Sequence, residues 1–181
     1  MACDFAREVL SPKEAEEDGI PLLVPQSGGR HGPSPELTAF SDGEKEVDYI
    51  VNRAKAFHSA GSRWKDIAIL FRVHEHGERI ERALKHAGIP VNLLGRGRAN
   101  GRLRPGEDSV KLMTFHSSKG LEFPVVFVPS LESMPLMKDD VPGEAKLLYV
   151  AMTRAMERLV LTHHGGSLFV RRLQEVLAPP A

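Results

Sequence analysis

The sequence predicts an α/β domain with a mostly parallel sheet. From Glu36 onward, short apolar runs alternate with segments whose apolar residues recur at helical spacing, which is the pattern of strands joined by helices. One run, Ile67–Phe71 (IAILF), is apolar at every position, as is typical of a strand covered on both faces. The chain has 181 residues, of which 41% are hydrophobic and 27% charged, so it can bury the core of one ordinary domain.

The composition excludes several functional classes. Lys and Arg together number 24, as do Asp and Glu, so the formal net charge of zero excludes a histone-like polycation but permits a local basic face. The single cysteine, Cys3, excludes an internal disulfide framework and a cysteine-rich zinc module. The N-terminus has no signal-peptide pattern, and no stretch approaches the roughly 20 apolar residues of a membrane helix. We therefore expect a soluble, cytoplasmic protein.

The first 35 residues differ from the rest and are predicted to be a variable segment or linker. Lys13–Asp18 is an acidic patch, and Gln26–Pro35 (QSGGRHGPSP) is rich in Gly, Pro and Ser. Ile20–Val24 is the one strand candidate in this segment. The folded domain is predicted to span residues 36–181.

The first predicted elements of the domain are a strand at Leu37–Phe40 and a helix at Glu44–Ala60. Ser41 or Asp42 is a suitable N-cap for this helix, and Gly61 ends it. The helix has one apolar face at 3.6-residue spacing, formed by Val47, Ile50, Val51, Ala54 and Phe57.

Beyond the strand Ile67–Phe71, a helix is predicted at Gly77–Ala87, ended by Gly88, and then a strand at Pro90–Leu94. A basic loop, Gly95–Gly106, carries four arginines: Arg96, Arg98, Arg102 and Arg104. The remaining predicted elements alternate in the same way: strand Val110–Phe115, a turn through Gly120, strand Val125–Val128, helix Glu144–Arg154, strand Leu159–Thr162 and helix Leu168–Leu177.

Common catalytic signatures are missing from the sequence. There is no G-x-x-x-x-G-K-[ST] phosphate loop, since Ser118-Lys119-Gly120 has those letters in the wrong order. Gly95, Gly97 and Gly101 miss the dinucleotide-binding spacing. His163-His164 is a weak metal signal without a third ligand nearby in the sequence, and a solvated strand end is the favoured interpretation. The chain is therefore not predicted to be a self-sufficient NTPase.

Two segments nevertheless carry polar side chains in a pattern suited to ligand binding. In Val110–Val128 a predicted buried strand delivers a polar set at its carboxyl end, where ligands of open α/β sheets bind; a polar loop with a Gly turn is the alternative. This set comprises Thr114, His116, Ser117, Ser118, Lys119 and Glu122.

The second segment is Glu144–Arg158 (EAKLLYVAMTRAMER), a predicted helix that is apolar over much of its surface. Arg154 stands in this apolar context and needs an anionic partner there. The partner is either a phosphate, which the planar guanidinium grips through two oxygens, or the carboxylate of Glu144 or Glu157 in a structural salt bridge.

Together these segments resemble motifs V and VI of the UvrD/Rep-type superfamily 1 DNA helicases, which usually read T-x-H-x-x-K-G-L-E-F and Y-V-A-x-T-R-A. The motif V matches are Thr114, His116, Lys119, Gly120, Leu121, Glu122 and Phe123. The motif VI matches are Tyr149, Val150, Ala151, Thr153, Arg154 and Ala155. The resemblance covers roughly residues 36–165, because Glu44–Gly95 is similar to the part of the family's second RecA-like domain that precedes motif V.

The resemblance implies a RecA-like, P-loop NTPase-type domain with three layers and without a Walker A motif of its own. In the family, ATP with Mg2+ lies between two RecA-like domains and single-stranded DNA crosses both. The implied arginine finger is Arg154, and Gly120 and Glu122 are implied to lie at the nucleotide, with Glu122 near the ribose. The residues implied to contact DNA, or to couple it to the nucleotide, are Thr114, His116 and Lys119. Arg72 is expected either to touch DNA or to form a structural ion pair.

The departures from the family pattern are large. The first RecA-like domain, the N-Y-R-S motif and the accessory insertion are missing, and residues 95–109 span the place of that insertion. The arginines there would suit DNA phosphates or a solvated loop. The chain is expected to need a first RecA-like domain as partner, which would hold Mg2+, and to have no ATPase activity alone. A non-catalytic DNA- or protein-binding module is the alternative function.

Overall fold

The structure, a computed structural model, describes residues 33–94, 103–104 and 106–178. The strands of its single described sheet are β1 (Glu36–Ala39), β2 (Ile67–Phe71), β3 (Val91–Leu93), β4 (Val110–Thr114), β5 (Phe123–Val128) and β6 (Ala155–His163). The helices are α1 (Gly43–Ser59), α2 (His74–His86), α3 (Val141–Met152) and α4 (Leu168–Leu177), with short 3-10 turns at Trp64–Asp66, His116–Ser118 and Leu131–Ser133.

The six strands form one sheet in the order β1-β6-β5-β2-β4-β3, and every pairing is parallel. Helices cover both of its faces. Alternate residues of β2 show this arrangement, because Ala68 and Leu70 join the core beneath α3 and α4, whereas Ile69 joins the core beneath α1 and α2. The predicted α/β class with a parallel sheet and three layers is confirmed.

Most element boundaries differ from the predicted ones by one to three residues. β2 and α4 occur at the predicted residues, and Asp42 caps α1 by accepting a hydrogen bond from the Lys45 backbone N–H at 2.9 Å. Gly61, after α1, has a φ of 106°, and Gly88, after α2, has a φ of 73°. Glycine adopts this left-handed conformation without strain, so both helices end where predicted.

Helix α2 begins at His74, three residues before the predicted start, because Gly77 is an interior helix residue and not a boundary. A Cβ atom placed on Gly77 would lie 2.6 Å from the buried ring of Phe71. The glycine therefore lets α2 pack directly against β2.

The largest boundary error lies between α3 and β6. The helix begins at Val141, capped by Asp140, and ends at Met152. The prediction that Arg154 belongs to this helix is therefore wrong. Thr153 and Arg154 form a tight turn in which the Arg154 backbone N–H donates to the Ala151 carbonyl at 3.2 Å. β6 then begins at Ala155, four residues before its predicted start, because its first part is exposed and lacks the apolar run that predicts a strand.

Some predictions fall outside the described residues, namely the strand candidate Ile20–Val24 and three arginines of the basic loop, Arg96, Arg98 and Arg102. The fourth, Arg104, forms a surface salt bridge with Glu107 at 3.2 Å. No helix in the described part of the chain is long and apolar enough to cross a membrane.

Candidate functional site

The Arg154 side chain is half-buried and is held by three hydrogen bonds. Its Nε donates to the Val150 carbonyl at 3.0 Å, one terminal nitrogen donates to the Leu121 carbonyl at 3.2 Å, and the other donates to Thr153 Oγ1 at 3.2 Å. These bonds fix the plane of the guanidinium, which has more N–H donors than they use. Within the described residues it forms no salt bridge, so the predicted alternative of a partner in Glu144 or Glu157 is wrong.

Arg154 joins the two sequence motifs at one point of the fold. The Leu121 carbonyl that it contacts immediately precedes Glu122, an exposed carboxylate. The Phe123 backbone N–H, in turn, donates to the Arg154 carbonyl at 2.9 Å. Gly120, three residues before β5, has a φ of 82°, a left-handed conformation that glycine adopts without strain. Glu122 and Arg154 therefore lie together where β5 and β6 begin.

The start of the first motif lies at the opposite edge of the sheet. In the sheet, Thr114 pairs with Phe71 at the end of β2. Two residues earlier in β2, Ile69 pairs with Phe127 of β5. The level of Thr114 is therefore reached two residues after Phe127. Phe123 begins β5 six residues before that level, which corresponds to about 20 Å at about 3.3 Å per residue. Residues 115–122 consequently run down one face of the sheet from its carboxyl edge to its amino edge.

The predicted position of Glu122 at the carboxyl edge, beside His116, is therefore wrong. The error has a physical cause, because a segment of eight residues with a glycine turn resembles a local loop in sequence. In the fold it is a crossover connection. Phe115 is 1% exposed and Leu121 packs on the same core, so apolar contacts hold this segment flat against the sheet.

Polar residues at the carboxyl edge surround two neighbouring cavities. One of about 320 Å³ is lined by Phe71, Arg72, His74, Thr114, Phe115, His116 and Ser117. The other, of about 420 Å³, lies between the crossover segment and α3, with Arg72, His116 and Lys119 on one side and Glu144, Lys146 and Val150 among the residues on the other. Thr114 Oγ1 accepts a hydrogen bond from the Ser117 backbone N–H at 3.2 Å, which shapes the turn.

Comparison with known proteins identifies the family. A model of the family described as "UvrD-like helicase C-terminal domain" matches residues 3–100 and 98–166. The chain belongs to this family. The match extends from near the N-terminus past both motifs, so the resemblance deduced from motifs V and VI is confirmed.

Relatives with curated descriptions agree with this assignment. The UvrD-like domain is 43% identical over 76 residues to the ATP-dependent DNA helicase PcrA of Leuconostoc citreum, covering 38% of this chain and 10% of the relative. It is 41% identical over 87 residues to DNA helicase II of Escherichia coli, covering 44% of this chain and 11% of the relative. The matched part thus spans about a tenth of the length of these relatives.

Solved structures agree in fold. The C-terminal domain of a possible DNA helicase from Lactobacillus plantarum superposes with a TM-score of 0.66 at 25% identity, covering 97% of this chain and 92% of that one. The arterivirus nonstructural protein 10 helicase, in complex with DNA, gives a TM-score of 0.50 at 12% identity over 76% of this chain and 34% of that chain. The second likeness is one of fold alone.

Arg72, which sequence reasoning assigned either to DNA or to an ion pair, forms the ion pair. Its guanidinium donates to both oxygens of Glu144, the shortest contact being 2.6 Å. Glu144 is 3% exposed and also accepts from the Leu136 backbone N–H at 3.2 Å. Burial acts to raise the pKa of Glu144, but these hydrogen bonds and the Arg72 charge outweigh it, so the pKa lies below its ordinary value.

Sequence reasoning missed a second polar cluster, formed by Glu46, Glu132 and His164. The favoured interpretation of His163-His164 as a solvated strand end is wrong, because His163 is 6% exposed and the His164 ring contacts both carboxylates. The available signal was Glu46, an acidic residue four positions before Ile50 and therefore on the buried face of α1.

Proposed function

We propose that this UvrD-like domain is the second motor domain of an ATP-dependent DNA helicase and supplies the arginine finger, Arg154. The observation that carries the proposal is the Arg154 guanidinium, which is positioned by backbone carbonyls and has no carboxylate partner among the described residues. The names of the relatives, an ATP-dependent DNA helicase and a DNA helicase, support a DNA helicase activity that depends on ATP. That activity belongs to a complete enzyme rather than to this domain alone.

The nucleotide side of the site is the amino edge of β5 and β6. After its three hydrogen bonds, the Arg154 guanidinium retains one N–H on each terminal nitrogen, and two such donors fit two oxygens of a γ-phosphate. This charge would stabilise negative charge that develops during phosphoryl transfer. Glu122, exposed beside Leu121, would accept from a ribose hydroxyl, and Gly120 would allow the backbone to approach the nucleotide.

In this assignment the domain binds the γ-phosphate and the ribose of ATP. The Mg2+ ion that accompanies ATP requires other ligands. Mg2+ in nucleotide sites is held by carboxylates or hydroxyls together with phosphate oxygens and water. Beside Arg154 the described residues offer Glu122, which we assign to the ribose, and the Thr153 hydroxyl, which is already bound to Arg154 and to the Val150 carbonyl. We therefore assign Mg2+ to a first RecA-like domain, which would also bind the remaining phosphate oxygens.

The DNA side of the site is the carboxyl edge, where Thr114, His116 and Lys119 surround the cavities. A hydroxyl, an imidazole and an ammonium group suit the phosphate backbone of single-stranded DNA. Arg72 lines both cavities, but we do not assign it to a DNA phosphate because its guanidinium is bound to Glu144.

Helix α3 connects the two edges. Its first turn carries Glu144, which is bound to Arg72 at the DNA side, and the carbonyl of Val150 in its last turn is bound to Arg154 at the nucleotide side. A shift of α3 caused by DNA would therefore move the arginine finger. We infer that α3 couples the two ligands.

Lys119→Ala is expected to weaken binding of this chain to single-stranded DNA. If the ammonium group neutralises one phosphate, its loss should lower the slope of log affinity against log salt by about 0.7. Fluorescence anisotropy with a labelled oligo-dT strand, at several salt concentrations, measures this slope. Lys55→Ala is the matched control, because Lys55 is an exposed lysine of α1, on the opposite face of the sheet. An unchanged slope in Lys119→Ala would contradict the assignment of this edge to DNA.

A further inference from the structure

Three potential metal ligands, none of them among the residues assigned above, converge at the carboxyl ends of β5 and β6. Glu46 comes from the first turn of α1, Glu132 from the 3-10 turn after β5, and His164 directly follows β6. His164 Nδ1 lies 2.8 Å from Glu46 Oε2 and 3.3 Å from Glu132 Oε1. One ligand atom of each residue lies within 4.8 Å of the other two.

Surrounding groups orient both carboxylates toward this point. Glu46 Oε1 accepts hydrogen bonds from the Ser130 backbone N–H at 2.8 Å and from Thr162 Oγ1 at 2.6 Å, which directs Oε2 toward the imidazole. The Ser130 hydroxyl also donates to Oε2, at 3.3 Å. Glu132 Oε2 accepts from the His164 backbone N–H at 3.1 Å, which leaves Oε1 directed toward Nδ1. Ligating carboxylates in metalloproteins are oriented by hydrogen bonds of this kind.

The charges of the cluster are poorly balanced by the protein itself. Glu46 is completely buried, and His164 is the only ionisable side chain of the described residues within salt-bridge distance of it. Nδ1 carries at most one hydrogen, yet oxygens of two carboxylates face it. Arg79 and His76 lie nearby, but neither pairs with these carboxylates. Ser130 and Thr162 satisfy Glu46 as hydrogen-bond donors, but they are neutral, so they leave the charge of the two carboxylates to the imidazole alone. A divalent cation would neutralise both carboxylates.

We propose that Glu46, Glu132 and His164 bind a divalent transition-metal ion of the zinc class. An imidazole nitrogen and carboxylate oxygens bind Zn2+ at about 2.0–2.2 Å in tetrahedral geometry, which places neighbouring ligand atoms about 3.3–3.6 Å apart. The 3.3 Å separation between His164 Nδ1 and Glu132 Oε1 fits that range. The 2.8 Å separation between His164 Nδ1 and Glu46 Oε2 is that of a hydrogen bond and would lengthen by about 0.5 Å around the ion. The ion would tie α1 to the ends of β5 and β6, and the proposal does not depend on the helicase assignment.

Metal binding can be tested on the chelator-treated 181-residue chain. Titration with Co2+, followed by its visible absorption, and with Zn2+, followed by calorimetry, is expected to show one ion per chain, and Zn2+ is expected to raise the Tm. Glu132→Gln and His164→Gln should each weaken Zn2+ affinity by about tenfold or more. Glu78→Gln and His86→Gln are the matched controls, because these exposed residues of α2 lie outside the cluster; their affinity should equal that of the wild type.

Two results would overturn the proposal. One is the lack of a stoichiometric Co2+ spectrum in the wild-type chain, which would show that the cluster is a hydrogen-bonded contact without metal. The other is equal affinity in the wild type and in folded Glu132→Gln and His164→Gln proteins, which would place the ion elsewhere. Glu132→Asp retains a carboxylate, so it provides a second test if Glu132→Gln does not fold, and it should bind Zn2+ more weakly than the wild type.

Discussion

Replacing Arg154 by alanine in a complete helicase that contains this domain is expected to lower ATP turnover by about a thousandfold or more, the usual scale for an arginine finger. The guanidinium is held by the Val150 and Leu121 carbonyls, so in the proposed role its remaining donors would meet the developing charge without reorganisation. Steady-state ATP hydrolysis in the presence of single-stranded DNA measures the effect.

DNA affinity should change little in Arg154→Ala, because the residues assigned to DNA begin at the opposite edge of the sheet, about 20 Å away. Arg158→Ala is the matched control, since Arg158 is an exposed arginine of β6 without a salt bridge among the described residues. It should retain nearly full turnover. A turnover within tenfold of the wild type in Arg154→Ala, or an equally large loss of DNA affinity, would show that Arg154 has another role.

The second large effect is expected on stability, from Glu144→Ala. This change leaves the Arg72 guanidinium without its carboxylate and removes the acceptor of the Leu136 backbone N–H. Breaking a buried ion pair lowers the free energy of unfolding by about 3 kcal/mol. We expect a somewhat smaller loss here, because the Arg72 side chain is partly exposed. Because domains are stable by about 5–15 kcal/mol, the loss should be plain in urea unfolding. Glu157→Ala, at an exposed position of β6, should cost less than about 0.5 kcal/mol.

The Arg72–Glu144 ion pair also predicts that the free energy of unfolding depends on pH. The folded pKa of Glu144 lies below its ordinary value of 4.5, so the ionised group stabilises the fold above that pH. This stabilisation should be lost as the pH falls through the lower folded pKa. In Glu144→Gln the contribution is missing at every pH, so its free energy of unfolding should fall less steeply in acid than that of the wild type. Equal slopes in acid would contradict the importance of this pair.

The layers of the fold could be predicted because the spacing of apolar residues along the chain shows which faces of each strand and helix are buried. Ile67–Phe71 is apolar at every position, and the structure buries it on both faces. Gly61 and Gly88 could be predicted to end helices because the positive φ that they adopt depends on the glycine itself and on its neighbours in sequence. These features depend on near neighbours in sequence, so no knowledge of the tertiary structure was needed.

Features that depend on tertiary geometry were predicted less well. The apolar residues around Arg154 resemble one continuous helix, and only the packing of β6 against β5 shows that the helix stops at Met152. Glu122 was assigned to the wrong edge because the crossing of residues 115–122 over β2 is a property of strand order. His164 lacked a predicted partner because Glu46 is 118 positions away in the chain.

The central claim is that this domain supplies an arginine finger to a site whose other parts lie elsewhere, and steady-state ATP hydrolysis by the purified chain tests it most directly. Its described residues provide Arg154 and Glu122 but no phosphate loop and no recognisable set of ligands for the nucleotide's Mg2+. We predict turnover at background, with or without single-stranded DNA, and an equal rate in Arg154→Ala. Robust turnover that Arg154→Ala abolishes would show that the chain is a complete ATPase and would contradict this account.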